Sequence, residues 1–235
     1  MGTVGGGVDA SLGMMLHRSL YRVLASLPVG MRQKTASLWF DALFTISPDV
    51  WQYETSGYEL DKRRQLMRAI PSGADVIVEF GCADGHNLME LAVANPGAQL
   101  IGLDVSHRAL TLAGERLVDY ENVRLICTAD PIGWEYLKVI CRSIDVLILS
   151  EVLYYLGTSK SIEQSLLPLR RMLNHGSDVV MLHSGDDASA LHESAGRALG
   201  FQIWSEQNHR LDGRRYSIAW ARTGIEPSSR NSHGA

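Results

Sequence analysis

Glu79-Phe80-Gly81-Cys82-Ala83-Asp84-Gly85 decides how this chain folds. The stretch closes a short apolar run, Asp75-Val76-Ile77-Val78-Glu79-Phe80, whose continuity marks a strand buried on both faces. Gly81 and Gly85 have no Cβ, so the backbone between them can turn sharply and approach whatever lies above it. From about Gly85 to Ala94 the apolar spacing becomes helical, and Asn95-Pro96-Gly97 closes that helix. A buried strand, a glycine turn and a helix form the opening unit of a parallel α/β sheet.

Toward the C-terminus the alternation repeats. Gln99 to Asp104 and Val123 to Thr128 read as strands, with a helix from His107 to Asp119 between them and Ser106 as its cap. Ile144 to Ser150 is the most apolar strand. A helix from Lys160 to Leu173 follows, then a strand from Asp178 to His183 and a helix from Asp187 to Leu199. Phe201 to His209 and Arg214 to Ala221 read as two strands joined by the turn Leu211-Asp212-Gly213. The pattern predicts an α/β fold: a doubly wound, mostly parallel seven-stranded sheet with helices on both faces.

Toward the N-terminus the pattern is helical throughout. Leu16, Leu20, Val23, Leu24 and Leu27, then Leu38, Phe40, Leu43 and Phe44, mark two amphipathic helices broken at Pro28-Val29-Gly30, and a third helix runs from about Tyr58 to Ile70. Residues 11–70 are expected to form a helical cover on a core of residues 71–223, with disordered ends at 1–10 and 224–235. The cover suits either a cap on the site or a face for a homodimer, so a monomer and a homodimer both fit.

Composition narrows the function. Apolar residues at 46% and charged residues at 20% belong to an ordinary globular chain. A formal net charge of −4 argues against nucleic acid as a partner. Cys82, Cys127 and Cys141 lack CxxC spacing, which fits neither a disulfide framework nor a zinc site and points to a reducing, cytoplasmic setting. No grouping of His, Cys and acids has metal-ligand spacing, so no metal is expected. No apolar run is long enough to span a membrane.

The glycine turn also speaks to ligand chemistry. A dinucleotide pyrophosphate calls for Gly-x-Gly-x-x-Gly and a helix start free of acids. Here the spacing is Gly-x-x-x-Gly with Glu79 and Asp84 beside it, which suits a cationic ligand without phosphates. S-adenosylmethionine carries both an ammonium and a sulfonium. Asp104 ends the second strand about 20 residues on, where a carboxylate meets ribose hydroxyls. Asp130, past the third strand, is placed for an adenine amine, with Pro131 or Ile132 against the ring.

With these residues in view, the chain from about Tyr58 to Arg222 resembles the class I S-adenosylmethionine-dependent methyltransferases. The resemblance rests on Val78 to Gly85, Gly102-Leu103-Asp104-Val105-Ser106, and Asp145 to Ser150 followed by Glu151-Val152-Leu153-Tyr154-Tyr155-Leu156. The last stretch, together with Trp51-Gln52-Tyr53-Glu54-Thr55-Ser56-Gly57-Tyr58-Glu59, is similar to the nodulation protein S branch, which N-methylates the amino group of a chitooligosaccharide. Gly185-Asp186, His192 and His209 lie where that branch has a Gly-Asp…His…His series. An N-terminal extension of about 45 residues and His183-Ser184-Gly185, where that branch has His-Trp, depart from it.

The resemblance implies that Gly81, Cys82, Ala83, Asp84 and Gly85, with Glu79, cradle the methionine part of S-adenosylmethionine. It implies Asp104 and Val105 at the ribose and Asp130 and Pro131 at the adenine. Ser150 and Glu151 would flank the methyl group, and Tyr53 and Tyr58 would close the site. Since methyl transfer from sulfur is an in-line displacement, positioning supplies most of the acceleration, and an amine acceptor must also lose a proton. Glu151, His183, His192 and His209 are the candidate bases, with Tyr154 and Tyr155 shaping the acceptor pocket.

Each candidate has a structural alternative. The tyrosines fit simple packing at a strand–helix junction, His192 and His209 fit surface or cap positions, and Cys82 fits a backbone contact. His17, His86, His107 and His175 read as surface residues. The expected acceptor is a small molecule with an amino group, a sugar or natural product. O-methylation of a hydroxyl is the nearest rival, followed by an NAD-dependent oxidoreductase and a non-catalytic cofactor-binding protein. The absence of Gly-x-Ser-x-Gly disfavours a serine hydrolase.

Overall fold

A computed structural model of the chain describes residues 29–222 together with Val23, Leu24 and Leu27. The glycine-rich start, most of the first amphipathic helix and the polar tail lie outside the described residues. Among the described residues, two full helices precede the sheet: α1, Val29–Ile46, which starts at the expected Val29-Gly30 break, and α2, Gly57–Ala69. The rest alternates: β1 Val76–Phe80, α3 His86–Ala94, β2 Gln99–Asp104, α4 His107–Arg116, β3 Val123–Cys127, α5 Pro131–Ile140, β4 Ile144–Ser150, α6 Ser159–Arg170, β5 Leu173–Ser184, α7 Ala188–Leu199, β6 Ile203–Leu211 and β7 Arg214–Arg222. A single 3₁₀ turn, Leu153–Leu156, separates β4 from α6.

The strands form one seven-stranded sheet in the order β3-β2-β1-β4-β5-β7-β6. Strands β1 to β5 are parallel, and β7 runs antiparallel to both β5 and β6. Strand order reverses between β1 and β4, whose tips stand side by side. In such sheets that reversal opens the crevice in which ligands bind. Side chains alternate between two cores: Val78, Ile101, Leu147 and Met181 face one layer of helices, and Ile77, Leu100, Val146 and Val180 face the other.

The sequence reading missed α5, because Pro131 and Gly133 look like breakers. Both are required there. Pro131 stands at the first helical turn, where its missing N–H costs nothing, and Asp130 caps the helix by accepting from Ile132 N at 2.8 Å. A Cβ on Gly133 would stand 1.8 Å from the Cys127 carbonyl oxygen, so only glycine lets α5 lie this close to β3. Boundaries also moved, among them two around β5: α6 stops at Arg170, and β5 begins at Leu173, pairing with Ile144 before a register shift. The β6–β7 turn places Asp212 and Gly213 at φ 49° and 76°, the left-handed pair that a two-residue hairpin needs.

Helix α1 lies across the tips of the sheet rather than against its face. Phe40 and Phe44 pack on Trp51, and Phe40 meets the edge of Tyr155 at 4.9 Å. Arg32 binds the helix to its surroundings, donating to the carbonyls of Leu24, Leu27 and Leu156 at 2.8, 2.8 and 2.6 Å. Asp41 accepts from Ser106 Oγ at 2.7 Å and from Arg108 N at 3.0 Å, joining α1 to the start of α4. Asp41→Ala is therefore expected to lower the unfolding free energy by about 1–2 kcal/mol in urea titration, the usual cost of losing such a cap.

Candidate active site

The floor of the site is the loop after β1. Gly81, Ala83 and Gly85 all take positive φ, at 85°, 48° and 82°. Gly81 and Cys82 donate their N–H groups to the Leu103 carbonyl at 2.7 and 3.1 Å, which curls the loop back over β2. A Cβ on Gly81 would lie 2.7 Å from Val152 Cγ2, so glycine here lets the turn after β4 interlock with the loop. Asp104, at the tip of β2, holds the loop from the other side. Its Oδ2 accepts from Ala83 N at 2.9 Å, and its Oδ1 accepts from Ser106 N at 2.9 Å. Burial raises its pKa, while those backbone donors oppose the rise.

Two buried acids, Glu79 before the loop and Asp84 within it, lack enough cations to satisfy them. Glu79 Oε1 accepts from Asn87 Nδ2 at 2.6 Å, while its buried Oε2 has no partner among the described residues. Burial, with Asp104 and Asp84 nearby, pushes the Glu79 carboxyl up to about 7 against the partial relief from Asn87. Asp84 Oδ2 pairs with Arg116 at 3.1 Å and lies 3.1 Å from His86 Nε2, leaving its buried Oδ1 unpartnered. His86 is thus an interior neighbour of this acid rather than the surface residue the sequence suggested. Paired buried acceptors with no donor are a fit for an added ammonium group.

Above the loop opens a cleft of about 700 Å³. Gly81, Ala83, Asp104, Val105, Ser150, Glu151, Tyr53, Tyr58 and Tyr154 all line it, which gathers half of the site residues singled out in the sequence. Cys82 and Asp84 face a smaller side pocket that also receives Arg63, Tyr53 and Ser150. Phe40, Phe44, Trp51 and Tyr155 form an aromatic roof. Burial, with acids around it, holds the Tyr53 phenol well above its ordinary pKa.

The chemistry converges on Glu151. It follows β4 at φ 54°, a strained position for a residue with a side chain. Its Oε1 accepts from Lys62 Nζ at 2.8 Å and from Ser184 Oγ at 2.6 Å, and its Oε2 has no hydrogen bond among the described residues. Lys62, on α2, also pairs with Glu59 at 2.7 Å and lies 3.3 Å from Ser184 Oγ. Burial works against the Lys62 ammonium, but Glu151 and Glu59 outweigh it and raise its pKa. The Tyr58 hydroxyl reaches Ser184 Oγ at 2.9 Å and the Arg215 carbonyl at 2.8 Å. Arg214 stacks 3.7 Å above the Tyr58 ring and lies 3.5 Å from Glu59.

Other sequence candidates stand elsewhere. Asp130 spends its carboxylate on the cap of α5, outside the cleft, and Pro131 is the first residue of that helix. Thr128 and Trp134 line the cleft in their place, with Trp134 6.0 Å from the Phe80 ring. His183 and His192 are buried behind the cleft, bonded to each other. His209 stacks on Tyr216 in the β6–β7 hairpin. Gly85 shapes the loop and Glu79 sits beneath it, neither lining the cleft. Sequence reasoning missed Lys62, Glu59 and Ser184. The Glu59-x-x-Lys62 spacing within the helix was the one available signal.

Comparison with known proteins agrees with this geometry. Residues 78–179 match the family model described as a methyltransferase domain. A 100-residue stretch is 32% identical to ribosomal RNA small subunit methyltransferase H of Dehalococcoides mccartyi, covering 43% of this chain and 28% of that protein. The chain thus spans little more than a quarter of that relative. Among solved structures, the N-methyltransferase NodS of Bradyrhizobium japonicum WM9, in complex with S-adenosylhomocysteine, superposes with a TM-score of 0.66 at 20% identity, over 81% of this chain and 99% of that one. Magnesium protoporphyrin IX methyltransferase of Synechocystis PCC 6803, with bound S-adenosylmethionine, gives 0.61 at 15% identity, over 85% and 99%. The fold is that of the class I, Rossmann-like methyltransferases.

Asp104→Ala is expected to weaken S-adenosylhomocysteine binding at least tenfold in calorimetry. Asp130→Ala should instead leave that affinity within twofold and lower stability by about 1 kcal/mol. Glu79 supplies a pH signature. Its folded pKa lies near 7, above the ordinary 4.5, so its contribution is fully present below about pH 4.5 and is lost as pH rises through 7. Glu79→Gln should therefore gain stability over the parent between about pH 5 and 8, by up to about 3 kcal/mol in urea titrations, and show no gain below about pH 5.

Proposed function

We propose that the chain, whose residues 78–179 match a methyltransferase domain model, transfers the methyl group of S-adenosylmethionine to the amino nitrogen of a small molecule, an amino sugar or a natural-product amine. The cofactor supplies an electrophilic methyl group. The loop from Gly81 to Gly85 holds its methionine part, with the buried acids Glu79 and Asp84 answering the ammonium. Asp104 takes the ribose hydroxyls, and Trp134, Thr128 and Val105 surround the adenine. The aromatic roof keeps water from the transfer path.

The observation that carries the reading is the Glu151 carboxylate. One oxygen is saturated by Lys62 and Ser184, and the other is open beside the cleft. An open carboxylate oxygen orients an amine by accepting one N–H and receives the proton that an ammonium acceptor must lose before its lone pair can attack the methyl group. It is too weak a base to ionise a sugar hydroxyl, which favours nitrogen over oxygen. The polar lining from Gln33, Gln164 and Ser165 suits an acceptor rich in hydroxyl groups.

The test is mass spectrometry of products from purified protein, S-adenosylmethionine and paired acceptors, each amino sugar beside its N-acetylated form. Gain of one CH₂ by the free amines alone is the expected result; methylation of the acetylated forms would reassign the reaction to oxygen. Glu151→Gln should lower kcat about a hundredfold or more while leaving S-adenosylhomocysteine affinity unchanged. Lys62→Met removes the cation between buried Glu59 and partly buried Glu151 and is expected to cost about 3 kcal/mol of stability by thermal denaturation.

A further inference from the structure

The two buried histidines behind the cleft carry a direction. The backbone N–H groups of Val152 and Leu153 both donate to His183 Nε2, at 3.2 and 3.1 Å. That nitrogen must hold a lone pair, so the proton of the neutral ring sits on Nδ1. His183 Nδ1 lies 3.1 Å from His192 Nε2, which then accepts. The His192 proton is thereby placed on Nδ1, 2.8 Å from Glu206 Oε1, an oxygen that also accepts from Ser189 Oγ at 3.0 Å. One tautomeric arrangement satisfies every group, and the reverse would set an N–H of His183 against two backbone N–H groups.

We propose that His183, His192 and Glu206 are positioning residues: a polarised hydrogen-bond chain from β6 through α7 and β5 that fixes the 151–153 turn, and with it both Glu151 and the cofactor loop. The mechanical link is short. Val152, whose N–H is held by His183, fills the space beside Gly81 that a Cβ would need, and Glu151 precedes it at φ 54°. The chain is dry at its inner end, where both histidines are fully buried, and reaches water only at Glu206. Tyr154 covers His183 edge-on at 5.2 Å, and Ser217 of β7 stands opposite it across the sheet.

The surroundings oppose a charge inside the chain. Burial, then His192 and the Lys62 ammonium, hold the His183 pKa well below its usual value. Burial also lowers that of His192, although Glu206 and Glu151 pull it the other way. Both rings therefore stay neutral, and the proton order set by Val152 and Leu153 persists. This deepens the methyl-transfer reading and rests on it only for what the turn positions.

Nitrogen-15 spectra of labelled protein at about pH 7.5 test the chain directly: His183 and His192 should both show the Nδ1–H tautomer with slowly exchanging protons. Calorimetry with S-adenosylhomocysteine tests its purpose. His183→Leu, which removes the acceptor, should weaken binding at least tenfold, while His183→Gln, whose carbonyl oxygen can take the same two N–H groups, should bind within threefold of the parent. Glu206→Leu, remote from the cleft, removes the acceptor of the His192 Nδ1–H and should speed that proton's exchange and weaken binding severalfold. An Nε2–H tautomer at His183, or parental affinity in both leucine variants, overturns the proposal. Should His183→Leu not fold, the spectra and Glu206→Leu decide. If the parent binds no S-adenosylhomocysteine, the cofactor assignment fails, and the nitrogen spectra still judge the chain.

Discussion

An ammonium group with almost no access to water must be answered by anions, and Lys62 organises this molecule by that rule. Its side chain is 7% exposed, and its three donors face Glu59, Glu151 and Ser184. Glu59 belongs to α2, Glu151 to the tip of β4 and Ser184 to the tip of β5. One cation therefore sews the helical cover onto the sheet where the strand order reverses. Removing water from such a pair strengthens the attraction but makes each charge costly when alone.

The cleft divides labour by polarity. Below the loop from Gly81 to Gly85, acids outnumber their partners, a site prepared for positive charge. Above it the walls are aromatic, from Phe40, Phe44 and Trp51 to Tyr155. At the junction stands a single carboxylate with one oxygen committed and one open. Low dielectric beside this carboxylate strengthens its attraction to the Lys62 ammonium. The interlock of Gly81 with Val152 joins the two halves, so the loop and the carboxylate share one support.

Much of this was legible in the residues. The apolar run ending at Gly81, the acid 23 residues later at Asp104 and the continuous strand before Ser150 are local patterns with local causes: strand burial, glycine freedom and the reach of a carboxylate at a strand tip. They determined the doubly wound sheet and the place of its crevice. The Asp212-Gly213 turn and the Ser106 cap belong to the same class, since each depends on backbone conformation within a few residues.

What the tertiary structure alone decided concerns residues whose meaning comes from distant partners. Asp130 fits an adenine contact by spacing but becomes a helix cap, because α5 starts there and needs an acceptor. Gly133 looks like a breaker until the Cys127 carbonyl is seen where its side chain would stand. His183 and His192 suit catalysis by residue type, yet folding turns both inward, where two backbone N–H groups and Glu206 claim their nitrogens. Lys62, unremarked among the charges of an amphipathic helix, meets Glu151 across 89 residues of chain. Sequence periodicity records which face of an element is dry, and only the packed fold says which charges must share that dryness.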